Sequence, residues 1–205
     1  MPVIVVANPK GGVGKSTIST NIAGYFASRG HAVMLGDVDV QQSSKLWLQL
    51  RPPHARPIQS WDIDADNIAK QPKGVTHVVL DTPAGLHGKR LREVLKRADR
   101  IVVPLQASVF DVFATRAFLD ELAASRKGND VPVALVGMRV HAHTLSADKL
   151  RTVADQLGWP LITMLRDTQN YVHLAASGLT VFDVAPGKVE RDLDQWSPLV
   201  AWLGE

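Results

Sequence analysis

The sequence predicts an α/β fold, a three-layer sandwich in which helices cover both faces of a mostly parallel central sheet. Short β-branched apolar runs alternate with longer stretches of helical periodicity along nearly the whole chain. The apolar runs are continuous, as expected for strands that are covered on both faces. No long linker or internal repeat interrupts this order, so we expect residues 1–205 to form one domain.

Six apolar runs are the predicted strands of this sheet. They are Val3 to Ala7, Ala32 to Asp37, His77 to Asp81, Ile101 to Leu105, Val133 to Val136 and Pro160 to Met164. Between the first two, apolar residues recur at helical spacing, and Gly30 follows where a left-handed residue commonly ends a helix. The same spacing predicts helices over 109–123 and 145–157, with Ser146 available to cap the second.

Composition excludes several classes of chemistry. The chain has no cysteine, which excludes disulfides, cysteine-ligated zinc, iron–sulfur clusters and thiol nucleophiles. The first apolar run is too short for a signal peptide, and nowhere do 18 apolar residues follow one another. We therefore expect a cytoplasmic protein. The formal charge of +3 is compatible with nucleic-acid contact but does not by itself indicate it.

A glycine-rich segment between the first strand and the first helix has the pattern of a phosphate-binding loop. Residues 8–17 read Asn-Pro-Lys-Gly-Gly-Val-Gly-Lys-Ser-Thr. Three glycines allow the backbone N–H groups to turn inward and form an anion site at the helix N-terminus. Lys15 would reach the β and γ phosphates, and the Ser16 hydroxyl would coordinate Mg²⁺. The alternatives are a plain glycine-rich turn and a dinucleotide fingerprint, which lacks its third glycine because Thr17 stands there.

Three ordered motifs resemble those of the ParA/MinD ATPases. Residues 10–17 are similar to that family's deviant Walker A motif, whose distinctive extra lysine Lys10 matches. Residues 37–41 resemble its DxDPQ switch, with Val40 in place of the proline, and residues 78–83 resemble its Walker B strand. With 178–182 the likeness spans nearly the whole chain. It implies a P-loop NTPase fold of the deviant Walker A class, similar to short ParA-type partition ATPases without an N-terminal DNA-binding extension.

The resemblance also implies a role for each site residue. The residues expected to hold ATP or ADP are Lys10, Gly11, Gly12, Val13, Gly14, Lys15, Ser16 and Thr17. Mg²⁺ would be held by Ser16 and, through a water, by Asp81, with Asp37 in support. Lys10, Lys15 and Asp39 would be catalytic, Asp39 by polarising the attacking water and Lys10 by reaching the nucleotide of a partner in an ATP-bound homodimer.

Structural alternatives exist for these residues. Lys10 could be a surface charge, Asp37 and Asp39 a solvated acidic turn, and Asp81 a strand-end cap. The adenine site is weakly marked, since Met138 stands where the family often has asparagine, and backbone groups near 182–186 are the alternative.

Basic residues mark candidate surfaces for DNA. The resemblance indicates a nonspecific DNA interface toward the C-terminal half, with Arg139, Arg166, Lys188 and Arg191 as candidates. A second basic run over 89–100 is either a further DNA face or simply a solvated helix face. The amphipathic tail 189–203 is acidic, so we expect it to pack in the core and not to anchor the chain to a membrane.

The function expected from this resemblance is an ATP-dependent switch that dimerises on ATP, binds DNA nonspecifically and positions a plasmid, chromosome region or other cargo. It would associate with the nucleoid, work with a ParB-like adaptor and be reset by ATP hydrolysis. Hydrolysis would be slow without that adaptor. The alternatives are a MinD-like membrane-associated ATPase and a metabolic ATP-dependent ligase.

Overall fold

The computed structural model describes residues 2–38, 42–61, 74–125, 131–141 and 144–204. Its described strands are β1 (Val3–Val6), β2 (Val33–Asp37), β3 (Ile58–Trp61), β4 (His77–Asp81), β5 (Arg100–Leu105), β6 (Val133–Val140) and β7 (Leu161–Arg166). They form one sheet in the order β3-β2-β4-β1-β5-β6-β7, and each neighbouring pair is parallel. The predicted α/β class is therefore confirmed.

Helices cover both faces of this sheet. The described helices are α1 (Lys15–Ser28), α2 (Ser43–Leu50), α3 (Gly88–Leu95), α4 (Val109–Ser125), α5 (Leu145–Leu157), α6 (Gln169–Ala176) and α7 (Pro186–Trp202). One core layer contains side chains of α1, α2 and α7, and the other contains side chains of α3, α4 and α5. The three-layer arrangement follows from right-handed crossovers between parallel strands, which place helices on either face.

The central strand β1 shows how one strand serves both layers. Val5 belongs to the layer that includes Leu119 of α4. Val6 belongs to the other, with Ile18 of α1 and Trp196 of α7. Successive side chains of a strand point to opposite faces, so a fully covered strand must be apolar throughout. All five side chains are at most 1% exposed, and each contributes roughly 1.5–3 kcal/mol through its burial.

The structure differs from the sequence prediction at two strands. Ile58–Trp61 forms the edge strand β3, which was not predicted because only Trp61 is buried and the middle of the strand is polar and exposed. β6 continues to Val140, past the predicted end at Val136. Its extension contains Arg139 at a positive φ of 54° and a register shift against β7, so the apolar run does not show it.

Helix ends follow local chemistry, with one correction. Gly30 has a φ of +89° just beyond α1, as predicted. The cap of α5 is Thr144, whose side-chain oxygen accepts a hydrogen bond from the Ala147 N–H, so the predicted cap at Ser146 is wrong. Ser146 lies inside the first turn of that helix.

The C-terminal helix packs in the core, as its charge predicted. Val189, Trp196, Leu199 and Leu203 are all at most 5% exposed in the layer beside α1. Pro198 lies within α7, and the departure from helical geometry occurs earlier, at Val189. No helix in the described part of the chain is long and apolar enough to cross a membrane.

Sheet order places the candidate residues together. β1 lies between β4 and β5, and β4 lies between β1 and β2. Asp37 of β2 is the register partner of Asp81 of β4, and Val6 of β1 pairs with the same Asp81. Both carboxylates and the start of the glycine-rich loop therefore meet at the carboxyl edge of three adjacent strands, where open parallel sheets bind ligands.

Candidate nucleotide-binding site

The glycine-rich loop turns sharply from β1 into α1. Gly12 has a φ of +74° and Gly14 a φ of +98°, both in the left-handed region that favours glycine. Gly14 is also the N-cap of α1, without a side-chain hydrogen bond. A Cβ added to Gly14 would lie 2.7 Å from Cε of Met138, the end of a side chain that can shift, so the positive φ is the main reason that this position favours glycine.

Side chains from other elements fix the loop at its start. Asn8 is 1% exposed, and its amide nitrogen donates to the Pro104 carbonyl at 2.8 Å and to Oγ1 of Thr115 at 3.0 Å. Its side-chain oxygen accepts from the Lys10 N–H at 2.9 Å. The Pro9 carbonyl accepts from the Gly85 N–H at 2.8 Å. The start of the loop is thus held by hydrogen bonds to several neighbouring segments.

The inner surface of the loop has the features of an anion site. The N–H groups of residues 11–14 make no hydrogen bond to an acceptor within the described ranges, although Val13 is only 2% exposed. Lys15 is 7% exposed, and its Nζ donates to the Lys10 carbonyl at 2.7 Å, across the loop. Unpaired N–H groups, a cationic side chain and a helix N-terminus together suit a polyphosphate.

Asp81 ends β4 beneath this loop and is surrounded by hydroxyl groups. Its Oδ2 accepts from Oγ of Ser44 at 2.6 Å, and its Oδ1 accepts from Oγ of Ser19 at 3.2 Å. The Ser16 side chain also hydrogen-bonds to this carboxylate. Burial raises the pKa of Asp81 from 3.8 to about 6; the serine bonds oppose the rise, and the nearby charge of Asp37 adds to it.

Asp37 holds the start of α2. Its Oδ2 accepts from the N–H groups of Ser44 at 2.8 Å and Lys45 at 3.2 Å, which satisfies donors in the first turn of that helix. Asp37 is 6% exposed and is therefore not part of a solvated turn. Asp39, the predicted water-polarising residue, lies outside the described residues.

Lys10 lies at the outer rim of the loop. Its side chain is 41% exposed, and its Nζ is 3.8 Å from Oδ1 of Asp111. Asp111 is held at the start of α4 because its Oδ2 accepts from Oγ of Ser108 at 2.6 Å. The Lys10 backbone is thus held by Asn8 and Lys15, while its side chain remains partly open to solvent beside Asp111.

The oxygen atoms at the sheet edge suit Mg²⁺. Within the described part of the chain, no three acidic or histidine residues cluster to hold a metal by themselves. Ser16, Asp81 and Asp37 instead offer hydroxyl and carboxylate oxygens beside a polyphosphate site. This donor set fits an ion that binds through one or two protein ligands, waters and substrate phosphates.

Long-range contacts also surround the site, and sequence patterns do not indicate them. The Asn21 side chain donates to the Thr17 carbonyl at 2.8 Å and accepts from the Val181 N–H at 3.1 Å, so α1 is tied to the 178–183 segment. Arg51, at the end of α2, makes a bidentate pair with Asp183 at 2.8 and 3.0 Å, and both side chains are 5% exposed. In the sequence, only the likeness of residues 178–182 to the family indicates that this segment belongs near the site.

The candidate DNA-contacting residues fall into two groups. Arg139, Lys188 and Arg191 are exposed. Arg166 instead bonds to the buried Asp192, at 2.6 Å from Nε and 3.3 Å from Nη2, so its guanidinium joins β7 to α7. Arg166 and Arg191 both line a surface cavity of about 470 Å³. The structure brings these two residues together and leaves their contact with DNA as a prediction.

Comparison with known proteins gives one family. Residues 4–181 match the family described as the CobQ/CobB/MinD/ParA nucleotide binding domain. The maintenance of carboxysome distribution protein A of Halothiobacillus neapolitanus is 28% identical over 204 residues, covering 92% of this chain and 91% of that protein. The chromosome-partitioning ATPase Soj of Thermus thermophilus is 27% identical over 169 residues, covering 67% and 68% respectively.

A solved structure has the same fold. The ATP complex of a substituted McdA from Cyanothece superposes with a TM-score of 0.76 at 14% identity, covering 97% of this chain and 96% of that one. At this identity the likeness establishes the fold alone. Together with the family match, it confirms the resemblance drawn from the three motifs.

Proposed function

The chain belongs to the family of CobQ/CobB/MinD/ParA nucleotide-binding domains, and from that premise we propose that it is an ATP-driven switch of the ParA type. It binds ATP in the loop at residues 8–17, forms a homodimer in the ATP state and hydrolyses ATP to ADP and phosphate to separate again. The observation that supports this most directly is that the N–H groups at 11–14, which make no hydrogen bond to a described acceptor, lie at the same sheet edge as two buried carboxylates.

Binding begins with the loop and Lys15. The loop N–H groups donate to the phosphate oxygens, and the Lys15 ammonium leaves the Lys10 carbonyl for the β and γ phosphates. Ser16 would hold Mg²⁺ directly, Asp81 through a water, and Asp37 in support. When bound, this ion supplies positive charge that neutralises the phosphate oxygens during transfer.

Hydrolysis requires an oriented water and cations around the γ phosphate. Asp39 polarises the water, and Lys10 reaches from one subunit to the nucleotide of the other, which the 41% exposure of its side chain at the rim of the loop supports. Lys10 thereby makes the triphosphate part of the dimer contact. Loss of the γ phosphate removes that contact and releases the subunits.

The output of the switch is the positioning of cargo on DNA. The carboxysome-distribution and chromosome-partitioning relatives support a role in positioning a large cargo. A ParB-like adaptor that stimulates hydrolysis is part of the same proposal. Arg139, Lys188 and Arg191 are exposed cations for nonspecific phosphate contacts, and dimerisation doubles their number. We propose a nucleoid-associated protein on this basis.

Retention on DNA tests the proposal. The protein is passed over immobilised DNA of unrelated sequence with ATP, ADP or no nucleotide, each with Mg²⁺, while light scattering reports its mass. We expect dimerisation and retention with ATP only, and release as salt rises from about 50 to 200 mM, because phosphate contacts displace counterions. Equal mass and equal retention with ATP and ADP would refute the proposal.

A further inference from the structure

Ser44 is the residue that contacts both carboxylates of the site. Its N–H donates to Oδ2 of Asp37 at 2.8 Å, and its Oγ donates to Oδ2 of Asp81 at 2.6 Å. It is 0% exposed. It is the second residue of α2, and so follows the 39–41 segment of the switch motif almost directly.

The hydroxyl of Ser44 does not serve its own helix. A serine in the first turn of a helix usually bonds to local backbone groups. The N-cap of α2 is Gln42, without a side-chain capping bond, and the N–H groups of the first turn are taken by Asp37. The Ser44 side chain instead reaches a strand 37 residues away in sequence. The α2 helix therefore does not need this hydroxyl for its own start.

The other hydroxyl groups on Asp81 come from a different element. Ser16 and Ser19 both belong to α1. Under the proposed function the Ser16 hydroxyl turns to the metal, which leaves Ser19 and Ser44 on the carboxylate. The Ser44 bond is the shorter, at 2.6 Å against 3.2 Å, because the one proton of the Ser19 hydroxyl is shared with the Lys15 carbonyl, which lies 2.9 Å away.

We propose that Ser44 is a positioning residue that acts through Asp81: it fixes the carboxylate for the metal-bound water and couples Mg²⁺ uptake to the start of α2. The inference rests on the proposed function, because it takes Asp81 as the carboxylate that holds the metal through water. Its hydroxyl orients Asp81, while its N–H holds Asp37, so one residue joins both carboxylates to the helix that follows the switch segment.

The test measures nucleotide binding and not turnover. Binding of a fluorescent ADP analogue is titrated against Mg²⁺ for the wild type, Ser44→Ala and the matched control Ser43→Ala, whose exposed side chain precedes Ser44. Loss of one charge-assisted hydrogen bond should raise the Mg²⁺ concentration for half-maximal tightening roughly tenfold in Ser44→Ala. Affinity without Mg²⁺ should stay within about twofold, and Ser43→Ala should match the wild type.

The Asp81→Asn variant distinguishes a role of Ser44 in positioning Asp81 from a general effect of Ser44 on folding. In Asp81→Asn, Mg²⁺ should no longer tighten binding, and adding Ser44→Ala should change the affinity by less than about twofold, because the two residues act as one unit. If Ser44→Ala has the wild-type Mg²⁺ midpoint, or weakens binding equally with and without Mg²⁺, the inference is wrong while the proposed function stands. If the wild type binds the nucleotide without any response to Mg²⁺, both are wrong.

Discussion

Replacement of Asp81 by asparagine should stabilise the ligand-free protein at neutral pH. The pKa of Asp81 is raised from 3.8 to about 6 because the carboxyl group is buried. A carboxyl group with a raised pKa binds its proton more tightly in the folded state. The free-energy cost of ionising it on folding is therefore absent below pH 3.8, grows between pH 3.8 and about pH 6, and is complete above about pH 6. Asparagine has nearly the same shape, carries no charge, and can still pair with the serine hydroxyls.

The size of the effect follows from the same shift. A difference of about two pKa units corresponds to about 3 kcal/mol above pH 7, and linkage gives roughly half of that at pH 5. We therefore expect Asp81→Asn to raise the free energy of unfolding by up to about 3 kcal/mol at pH 7.5, with the gain falling as pH decreases. In the wild type, this group should itself raise the free energy of unfolding as the pH falls from 7 to 5, because Asp81 then becomes protonated.

Urea unfolding followed by circular dichroism measures this gain, in EDTA and without nucleotide, at pH 7.5, 6 and 5. Asp120→Asn is the matched control, because Asp120 is exposed on α4 and should change stability by less than about 0.5 kcal/mol. If Asp81→Asn is no more stable than the wild type at pH 7.5, or if its gain does not shrink towards pH 5, the burial argument for Asp81 is wrong.

Three further predictions separate the steps of the proposed cycle. Lys15→Ala should abolish nucleotide binding in a fluorescent-ADP assay, whereas Lys10→Ala should keep monomeric binding and lose ATP-dependent dimerisation in light scattering, since only Lys10 is exposed for a partner; equal behaviour of the two variants would contradict these roles. Asp39→Ala should form a persistent ATP dimer and release phosphate far more slowly, so a wild-type rate of phosphate release would remove Asp39 from catalysis. Arg191→Ala should weaken retention on DNA and make it less sensitive to salt without changing ATP binding, and an unchanged salt dependence would exclude this arginine from the DNA interface.

The sequence predicts the parts of the site that depend on local pattern. Residues 8–17 follow a buried strand and precede a helix, and Asp37 and Asp81 end strands whose carboxyl ends must share one edge. Local pattern therefore suffices to predict the loop, both carboxylates and the layer order. The family match and the shared fold then confirm the resemblance on which the roles were assigned.

What the sequence does not predict depends on contacts between distant segments. Ser44 has no local signature, because it is singled out only by its hydrogen bond to Asp81, which lies on a strand 37 residues away in sequence. Arg51 and Asp183 are likewise ordinary charged residues until the fold buries them together. The edge strand β3 was missed for a different reason: it packs on one neighbour only and needs little apolar surface, so its pattern is that of a surface loop.

The buried pair of Arg51 and Asp183 fixes the C-terminal end of α2. Removal of one partner of such a buried pair costs about 3–5 kcal/mol, because the other charge is left buried and uncompensated. The other end of α2 is held by the N–H groups of Ser44 and Lys45, which donate to Asp37, and by the Ser44 hydroxyl, which donates to Asp81. The helix that follows the switch motif is thus tied to the 178–183 segment at one end and to the carboxyl edge of the sheet at the other.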